Sequence, residues 1–220
     1  VLQPVPTADG STTLFSPRFN QWYHSVYGAL EESRRVFLEL GFAYLAERQS
    51  EIRLLEMGFG TGLNALLTER AAAARGVRVH YTALEAYPIE PEMGAALGLE
   101  QVVPGSMGPR IHKLAWETSH ELNPNFTLLK RQTTLQAFLN EPPGRPFDLV
   151  YYDAFAPASQ PELWTPEVFQ QLAERVVPGG VLTTYCSKGD VRRALQAAGF
   201  RVEKHPGPGR KREVVRAIRE

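Results

Sequence analysis

Three glycines at alternate positions follow an acidic residue in the run Glu56-Met57-Gly58-Phe59-Gly60-Thr61-Gly62-Leu63-Asn64. Glycine lets a backbone turn tightly and come close to a ligand, so a run of this kind between a strand and a helix suits a cofactor loop. A dinucleotide fold wants G-x-G-x-x-G, with a pyrophosphate resting on the helix N-terminus. The sixth position here is Leu63, which argues against a nicotinamide dehydrogenase. Glu85 stands 25 residues after Gly60, at the end of the next apolar run, where a carboxylate can accept both hydroxyls of a ribose. The third candidate is Asp153, closing the apolar stretch Phe147-Asp148-Leu149-Val150-Tyr151-Tyr152 and opening Asp153-Ala154-Phe155-Ala156-Pro157. A carboxylate at that strand end can bind an amine and accept its proton. Asp148 precedes the strand and is the poorer candidate.

Aromatic and polar residues crowd two further segments. Phe19 to Leu30 contains Trp22, Tyr23, His24 and Tyr27 just before a helix, a density that suits a cofactor or substrate wall. Phe155 and Trp164 are candidates to wall a planar substrate or an adenine. The five histidines, His24, His80, His112, His120 and His205, show no metal-ligand spacing, so no metal is expected. Cys186 is the sole cysteine and lies in an apolar run, which makes it a buried small hydrophobe.

These residues need elements to position them. Strands are expected at about Ile52 to Met57, Val77 to Leu84, Phe126 to Lys130, Phe147 to Tyr152, Gly180 to Tyr185, Phe200 to Lys204 and Glu213 to Ile218, seven in all. Helices are expected over Leu63 to Arg75, Thr134 to Leu139, Pro166 to Val176 and Lys188 to Ala198. Strands separated by helices imply an α/β fold with a mainly parallel sheet covered on both faces. A short turn at Pro206 to Arg210 joins the last two strands, which should pair antiparallel at an edge. Ahead of the sheet, residues 1–17 carry Pro4, Pro6, Gly10 and Pro17 and suggest an extended arm or small hairpin; it is a lid candidate. Ala29 to Ala46 has the apolar spacing of an amphipathic helix. The division expected is an arm over 1–28 and one domain over 29–220.

Composition bounds the class. A chain of 220 residues, 43% hydrophobic and 22% charged, suits one sizeable globular domain and excludes disordered, collagenous and disulfide-dense classes. No apolar run spans a bilayer and no signal peptide is evident, so a cytoplasmic protein without a membrane partner is expected. The 24 basic residues balance the 24 acidic ones. Between Arg201 and Glu220, however, seven basic residues face three acidic ones, which suits contact with phosphates or a charged strand edge.

The alternate glycines resemble the first motif of S-adenosylmethionine-dependent methyltransferases. GFGTGLN (Gly58 to Asn64), DAFAP (Asp153 to Pro157), PELWTP (Pro161 to Pro166), PGG (Pro178 to Gly180), VRRALQAAGF (Val191 to Phe200) and GPGRKRE (Gly207 to Glu213) follow in order. Together they resemble the methyltransferase half of the bifunctional MnmC family, which acts on the tRNA wobble uridine, from about Phe19 onward. The resemblance implies a Rossmann-like class I methyltransferase fold, S-adenosylmethionine as cofactor, and methylation of the primary amine of an aminomethyl-uridine in tRNA. It implies a stand-alone methyltransferase domain, a separate enzyme that supplies the aminomethyl substrate, and a cytoplasmic setting. Cofactor contacts then fall to Gly58, Phe59, Gly60, Thr61, Gly62, Asn64 and Glu85. Asp153 would position the amine, Tyr23, His24, Phe155 and Trp164 would meet the substrate, and Arg210, Lys211 and Arg212 would touch tRNA phosphates.

Many relatives carry an Asp near the end of the third strand, where this chain reads Lys130-Arg131-Gln132-Thr133-Thr134; adenine would be held by backbone, Gln132 or Thr133. The alternatives are a small-molecule amine methyltransferase or aminopropyl transferase on the same fold, and a cofactor-binding partner module without turnover.

Overall fold

The structure, a computed structural model, describes residues 2–209 and 211–220. Its N-terminal part is a small antiparallel sheet of β1 (Gln3–Pro6), β2 (Thr12–Ser16) and β3 (Gln21–Trp22). The arm is therefore one strand richer than a hairpin. Leu14 from β2 is wholly buried in the main core, so the arm is packed onto the domain.

Eight strands form the main sheet: β4 (Glu51–Met57), β5 (Arg78–Leu84), β6 (Ser119–Asn123), β7 (Phe126–Arg131), β8 (Phe147–Tyr152), β9 (Val176–Thr184), β10 (Phe200–Pro206) and β11 (Glu213–Arg219). Their order is β10-β11-β9-β8-β4-β5-β7-β6. The central strands β9, β8, β4, β5 and β7 are parallel, while β11, β10 and β6 pair antiparallel at the two edges. The seven strands expected from sequence all form, and β6 is additional. Its sequence, Ser-His-Glu-Leu-Asn, is mostly polar and nowhere fully buried, so it carries no apolar alternation; its pairing with β7 alone makes it a strand. β9 begins earlier than expected, taking in Pro178 to Gly180 where its register against β8 shifts.

Central strands are apolar on both faces because both faces are covered. Ile52 and Leu54 of β4, with Leu149 and Tyr151 of β8, face the cluster that holds the helices over 29–46 and Leu63–Arg75. The alternate residues Leu55, Met57, Val150 and Tyr152 face the helices Leu135–Asn140, Pro166–Ala173 and Gly189–Ala197. Thr134 and Thr165 cap two of these helices through their side chains. The connection from β5 to β7 also carries short helical turns, Pro91–Ala95, Leu99–Val102 and Gly108–Lys113.

The helix over 29–46 departs from an ordinary amphipathic α-helix. Its middle, Ser33–Ala43, winds with the wider π spacing, and Val36, Phe37, Leu40, Gly41 and Phe42 are all buried. A wider turn brings more consecutive residues onto the sheet than a 3.6-residue period does. At Gly41 a Cβ would lie 3.1 Å from both Leu149 Cδ1 and Tyr151 Cε1. Gly41→Leu is accordingly expected to overpack this contact and destabilise the fold by about 1–3 kcal/mol. Thermal unfolding followed by circular dichroism checks it, and an unchanged Tm would show that the helix can lift off the sheet freely.

Candidate functional site

Chain order reverses between β4 and β8, and ligands of open α/β sheets bind beyond the carboxyl ends of strands at such a point. β4 ends at Met57 and the chain turns through Gly58, at φ 92°, and Gly60, at φ 48°. A Cβ on Gly58 would sit 2.6 Å from the carbonyl oxygen of Asp153, so only glycine fits between the two strand ends. The N–H groups of Gly58 and Phe59 both donate to the Leu84 carbonyl, at 3.0 and 3.1 Å. Gly60 N–H donates to Glu85 Oε2 at 3.0 Å and Tyr87 N–H to Glu85 Oε1 at 2.9 Å. Backbone donors thus orient both oxygens of Glu85 beside the glycine loop. Burial raises the Glu85 carboxyl above its ordinary range, opposed by these hydrogen bonds.

The loop is braced from behind. His112 Nε2–H donates to the Thr61 carbonyl at 2.9 Å, and burial pushes this imidazole down to about 4, so it is neutral. Lys130 is fully buried; its ammonium donates to the Ile111 carbonyl at 2.9 Å and lies 4.5 Å from the Trp116 ring centroid and 5.4 Å from that of Phe59. Burial lowers it to about 8.

Asp153 leaves β8 with its N–H on the Met57 carbonyl at 3.0 Å. One amide, the Asn64 side chain, donates to Asp153 Oδ2 at 3.0 Å and to Glu56 Oε1 at 3.0 Å. Glu56 is wholly buried, which holds its carboxyl well above the ordinary range. Burial, followed by the neighbouring charge of Glu32, pushes Asp153 up to about 8. Its carboxyl therefore exchanges a proton near neutral pH, as a group that receives a proton from an amine must.

Phe19, Tyr23 and Phe155 roof this cleft, with ring centroids 4.6 Å apart for Phe19–Phe155 and 5.2 Å for Tyr23–Phe155. Gln21 accepts the Ala156 N–H at 3.1 Å and ties the arm to the DAFAP loop. Beside the cleft opens a cavity of about 410 Å³ bordered by Tyr23, His24, Glu32, Phe155, Tyr185 and Lys211 among others. Tyr23, His24, Ala154 and Phe155 border both spaces.

The structure brings Gly58, Phe59, Gly60, Glu85, Asp153, Phe155, Tyr23 and His24 together around the cleft. It does not bring all the expected residues there. Thr61 and Asn64 are buried behind the loop, and a Cβ on Gly62 would meet Phe59 and Ile111. Asn64 is a positioning residue for Asp153. Gln132, expected near adenine, is exposed and its N–H is taken by Glu117, because the turn after β7 folds outward. Trp164, expected as a substrate wall, is buried against Tyr152 and Phe169, with its indole N–H on the Phe155 carbonyl at 2.8 Å. It supports the DAFAP loop from within. Lys211, expected on phosphates, is turned inward and ion-paired with Glu32, while Arg212 is exposed. Arg210 lies outside the described residues. Glu32, Tyr87, Gln160 and Tyr185 border the site without having been singled out from sequence. Glu32 reads as one more polar residue of an amphipathic helix, and no local signal marks it. Among the described residues no group of three or more metal-ligating side chains occurs, and no helix is long and apolar enough to cross a membrane.

A family of S-adenosyl-L-methionine-dependent methyltransferases matches residues 123–220. The tRNA 5-methylaminomethyl-2-thiouridine biosynthesis bifunctional protein MnmC of Pseudomonas fluorescens is 36% identical over 221 residues, covering 90% of this chain and 32% of that protein. Its counterpart in Magnetococcus marinus is 34% identical over 233 residues, covering 98% of this chain and 34% of that protein. The chain thus spans about a third of the length of the curated relatives it matches. The crystal structure of MNMC2 from Aquifex aeolicus superposes with a TM-score of 0.81 at 26% identity, over 99% of this chain and 70% of that one. Spermidine synthase from Thermotoga maritima shares the fold, with a TM-score of 0.57 at 12% identity over 99% and 72% of the two chains. The fold is that of Rossmann-like class I S-adenosylmethionine-dependent methyltransferases, with antiparallel C-terminal edge strands.

The raised Asp153 carboxyl has a consequence for stability. Its folded-state pKa of about 8 lies above the unfolded value of about 3.9, so the folded chain binds the extra proton. The stabilisation is full below about pH 4 and is lost as pH rises through about 8. Asp153→Asn cannot ionise, so its Tm is expected to gain on the wild type by several degrees between pH 5 and pH 9. A gap that stays constant over that range would show that the carboxyl titrates as though exposed.

Proposed function

We propose that this MnmC-like methyltransferase domain transfers a methyl group from S-adenosylmethionine to the primary amine of an aminomethyl-uridine at the tRNA wobble position, giving the methylaminomethyl form. The observation that carries the reading is the Asp153 carboxyl, held by Asn64 where the glycine-loop cleft meets the adjoining cavity, with a pKa near neutrality. The names of the curated relatives supply the tRNA nucleoside.

The residues present suit the cofactor. Gly58 and Gly60 leave the loop backbone bare, and the gap between Gly60 and the Tyr23 ring is one that a Cβ, at 3.0 Å, would fill. Glu85 presents an acceptor carboxylate at the end of β5, suited to ribose hydroxyls. When bound, S-adenosylmethionine supplies an electrophilic methyl whose carbon–sulfur bond breaks as the new carbon–nitrogen bond forms, leaving the electron pair on sulfur.

An aliphatic ammonium has no lone pair for that attack. Asp153, ionised, holds the ammonium and takes one proton onto its carboxylate, which frees the pair on nitrogen. Asn64 fixes the carboxylate so that its oxygens keep one orientation. Orientation of the two reactants in adjoining, protein-walled spaces supplies the larger part of the acceleration, on the order of 7–11 kcal/mol for well-aligned pairs. Proton acceptance adds roughly 10²–10⁴-fold.

Methyl-labelled S-adenosylmethionine and two tRNA pools test the reading, one bearing unmethylated aminomethyl-uridine and one fully modified. Label is expected in the first pool alone and in the methylaminomethyl nucleoside. Label in small amines but in neither pool would replace the tRNA reading with a small-molecule one. Asp153→Ala is expected to keep cofactor affinity within a few-fold and to lose roughly 10²–10⁴-fold in turnover. For the wild type, kcat/KM should rise with pH through about 8 as Asp153 ionises; undiminished turnover in the variant would remove Asp153 from the chemistry.

A further inference from the structure

Beside the cleft that Asp153 borders, the 410 Å³ cavity carries an ion pair that the fold has no evident need for. Glu32, in the first turn of the helix over 29–46, is 4% exposed, and its carboxylate is paired with the Lys211 ammonium 179 positions away. Burying such a pair costs desolvation of both ions, and well-packed apolar residues often hold a fold equally well. Lys211 also stands 4.4 Å from the Tyr185 ring centroid, on the cavity wall. The Glu32 charge reaches Asp153 and disfavours its ionisation, while Lys211 favours it. Glu32 thus borders the cavity and Asp153 the adjoining cleft, two spaces that share the walls of Tyr23, His24, Ala154 and Phe155.

An independent feature points to a polar ligand in the same place. His24 is 7% exposed and borders both the cavity and the cleft, yet its Nδ1 has no hydrogen-bond partner among the described residues. A buried ring nitrogen left unpaired beside a cavity is costly unless a ligand group meets it. Burial holds this imidazole neutral, below its ordinary range, so it offers a neutral polar group.

We propose that Glu32 is a second carboxylate of the acceptor site, bracketing the substrate's primary ammonium together with Asp153, and that Lys211 is an internal counter-ion which the arriving ammonium displaces. The inference rests on the amine-acceptor reading above. It makes the pocket selective by charge. An acceptor that brings its own cation replaces Lys211 on Glu32, whereas a neutral hydroxymethyl group has nothing to exchange for it. Glu32 holds the nitrogen in line while Asp153 takes the proton, so Glu32 is an orienting contact to substrate and not a second base.

Asp153 is faced by Glu56 and Asn64 from β4 and the helix after it, by Tyr81 from β5, by Tyr185 after β9, by Glu32 and by Lys211. Only the last two are altered in the test, which uses the full chain with Glu32→Gln and Lys211→Met. In the unliganded proteins, carboxyl NMR of Asp153 should show its midpoint moving down in Glu32→Gln and up in Lys211→Met. In methyl transfer to aminomethyl-uridine tRNA, Glu32→Gln should lose roughly 10- to 100-fold in kcat/KM, the scale of one hydrogen bond to a charged group. Cofactor affinity measured by calorimetry should stay within about twofold, as for a residue outside the cofactor cleft.

Both midpoints unmoved, or moved in the same direction, would overturn the cluster whatever the substrate. If the wild type methylates the tRNA and a cofactor-binding Glu32→Gln does so equally well, the orienting role falls while the function stands. A wild type that binds cofactor and methylates no such tRNA removes the function reading and this inference with it. Should Glu32→Gln fail to fold, Lys211→Met decides through its own midpoint: an upward move supports the shared field and any other result overturns it.

Discussion

The ends of β4 and β8 meet so closely at Gly58 that the Asp153 carbonyl occupies the space of a side chain there. Parallel pairing of Met57 with Tyr152 brings the two strands side by side, and the Asp153 N–H closes the junction on the Met57 carbonyl. From that junction one chain leaves as the glycine loop and the other as the DAFAP loop. A group bound on the first necessarily lies next to the carboxylate on the second. Any side chain at Gly58 separates them, which is why glycine there matters beyond its freedom to adopt φ 92°. The braces behind the loop, His112 on Thr61 and Lys130 beneath Phe59, keep the glycine run from collapsing away from that junction.

Around the junction the structure gathers more acid than a low-dielectric site can hold ionised. Glu56, Asp153 and Glu85 are all raised by burial, and Glu32 adds its charge to Asp153. Asn64 can satisfy two of these carboxyls because its one amide nitrogen carries two hydrogens. Burial shifts Glu56, the most buried member, furthest toward its neutral form, and Lys211 offsets the charge of Glu32. Asp153 is left in the middle, neither fully buried with no outlet nor solvated enough to stay ionised. That intermediate position, set by several neighbours at once, is what tunes a carboxylic acid toward neutral pH.

Much of this was legible in the amino-acid order, and the rest was not for identifiable reasons. The helix Leu63–Arg75 has the bounds read from sequence because Gly62 and Gly76, both left-handed, punctuate it. Gly58, Glu85 and Asp153 could be placed together because strand ends in a parallel sheet share one edge, so position along the chain implies position in space. β6 could not be read because its residues are mostly polar and only pairing defines it. Trp164 looked like a wall because aromatic type does not say which side of a loop a ring takes; its indole N–H found the Phe155 carbonyl inside. Glu32 and Lys211 were hidden for a further reason. Their meaning comes from each other, across 179 positions, and no local pattern carries it.

The C-terminal hairpin shows how such pairing alters an argument made from charge alone. Seven basic residues against three acidic ones suggest a surface ready for a polyanion. In the folded chain Arg201 and Arg216 pair with Glu203, Lys204 with Glu213, Lys211 with Glu32, and Arg219 donates to the Val176 carbonyl. Five of the seven basic residues therefore already have a partner within the protein, although of these only Lys211 pairs with an acid from outside this segment. Exposed pairs such as Lys204–Glu213 are weak and exchange readily for a phosphate, whereas drawing Lys211 away to a phosphate leaves the buried Glu32 carboxylate without a counter-ion. If an RNA docks on this hairpin, the gain at each basic residue is reduced by the partner it gives up, and counterion release is smaller than the count of arginines implies. On the proposed function, selection then falls more heavily on the cavity, where an ammonium is told from a neutral group, than on the basic edge.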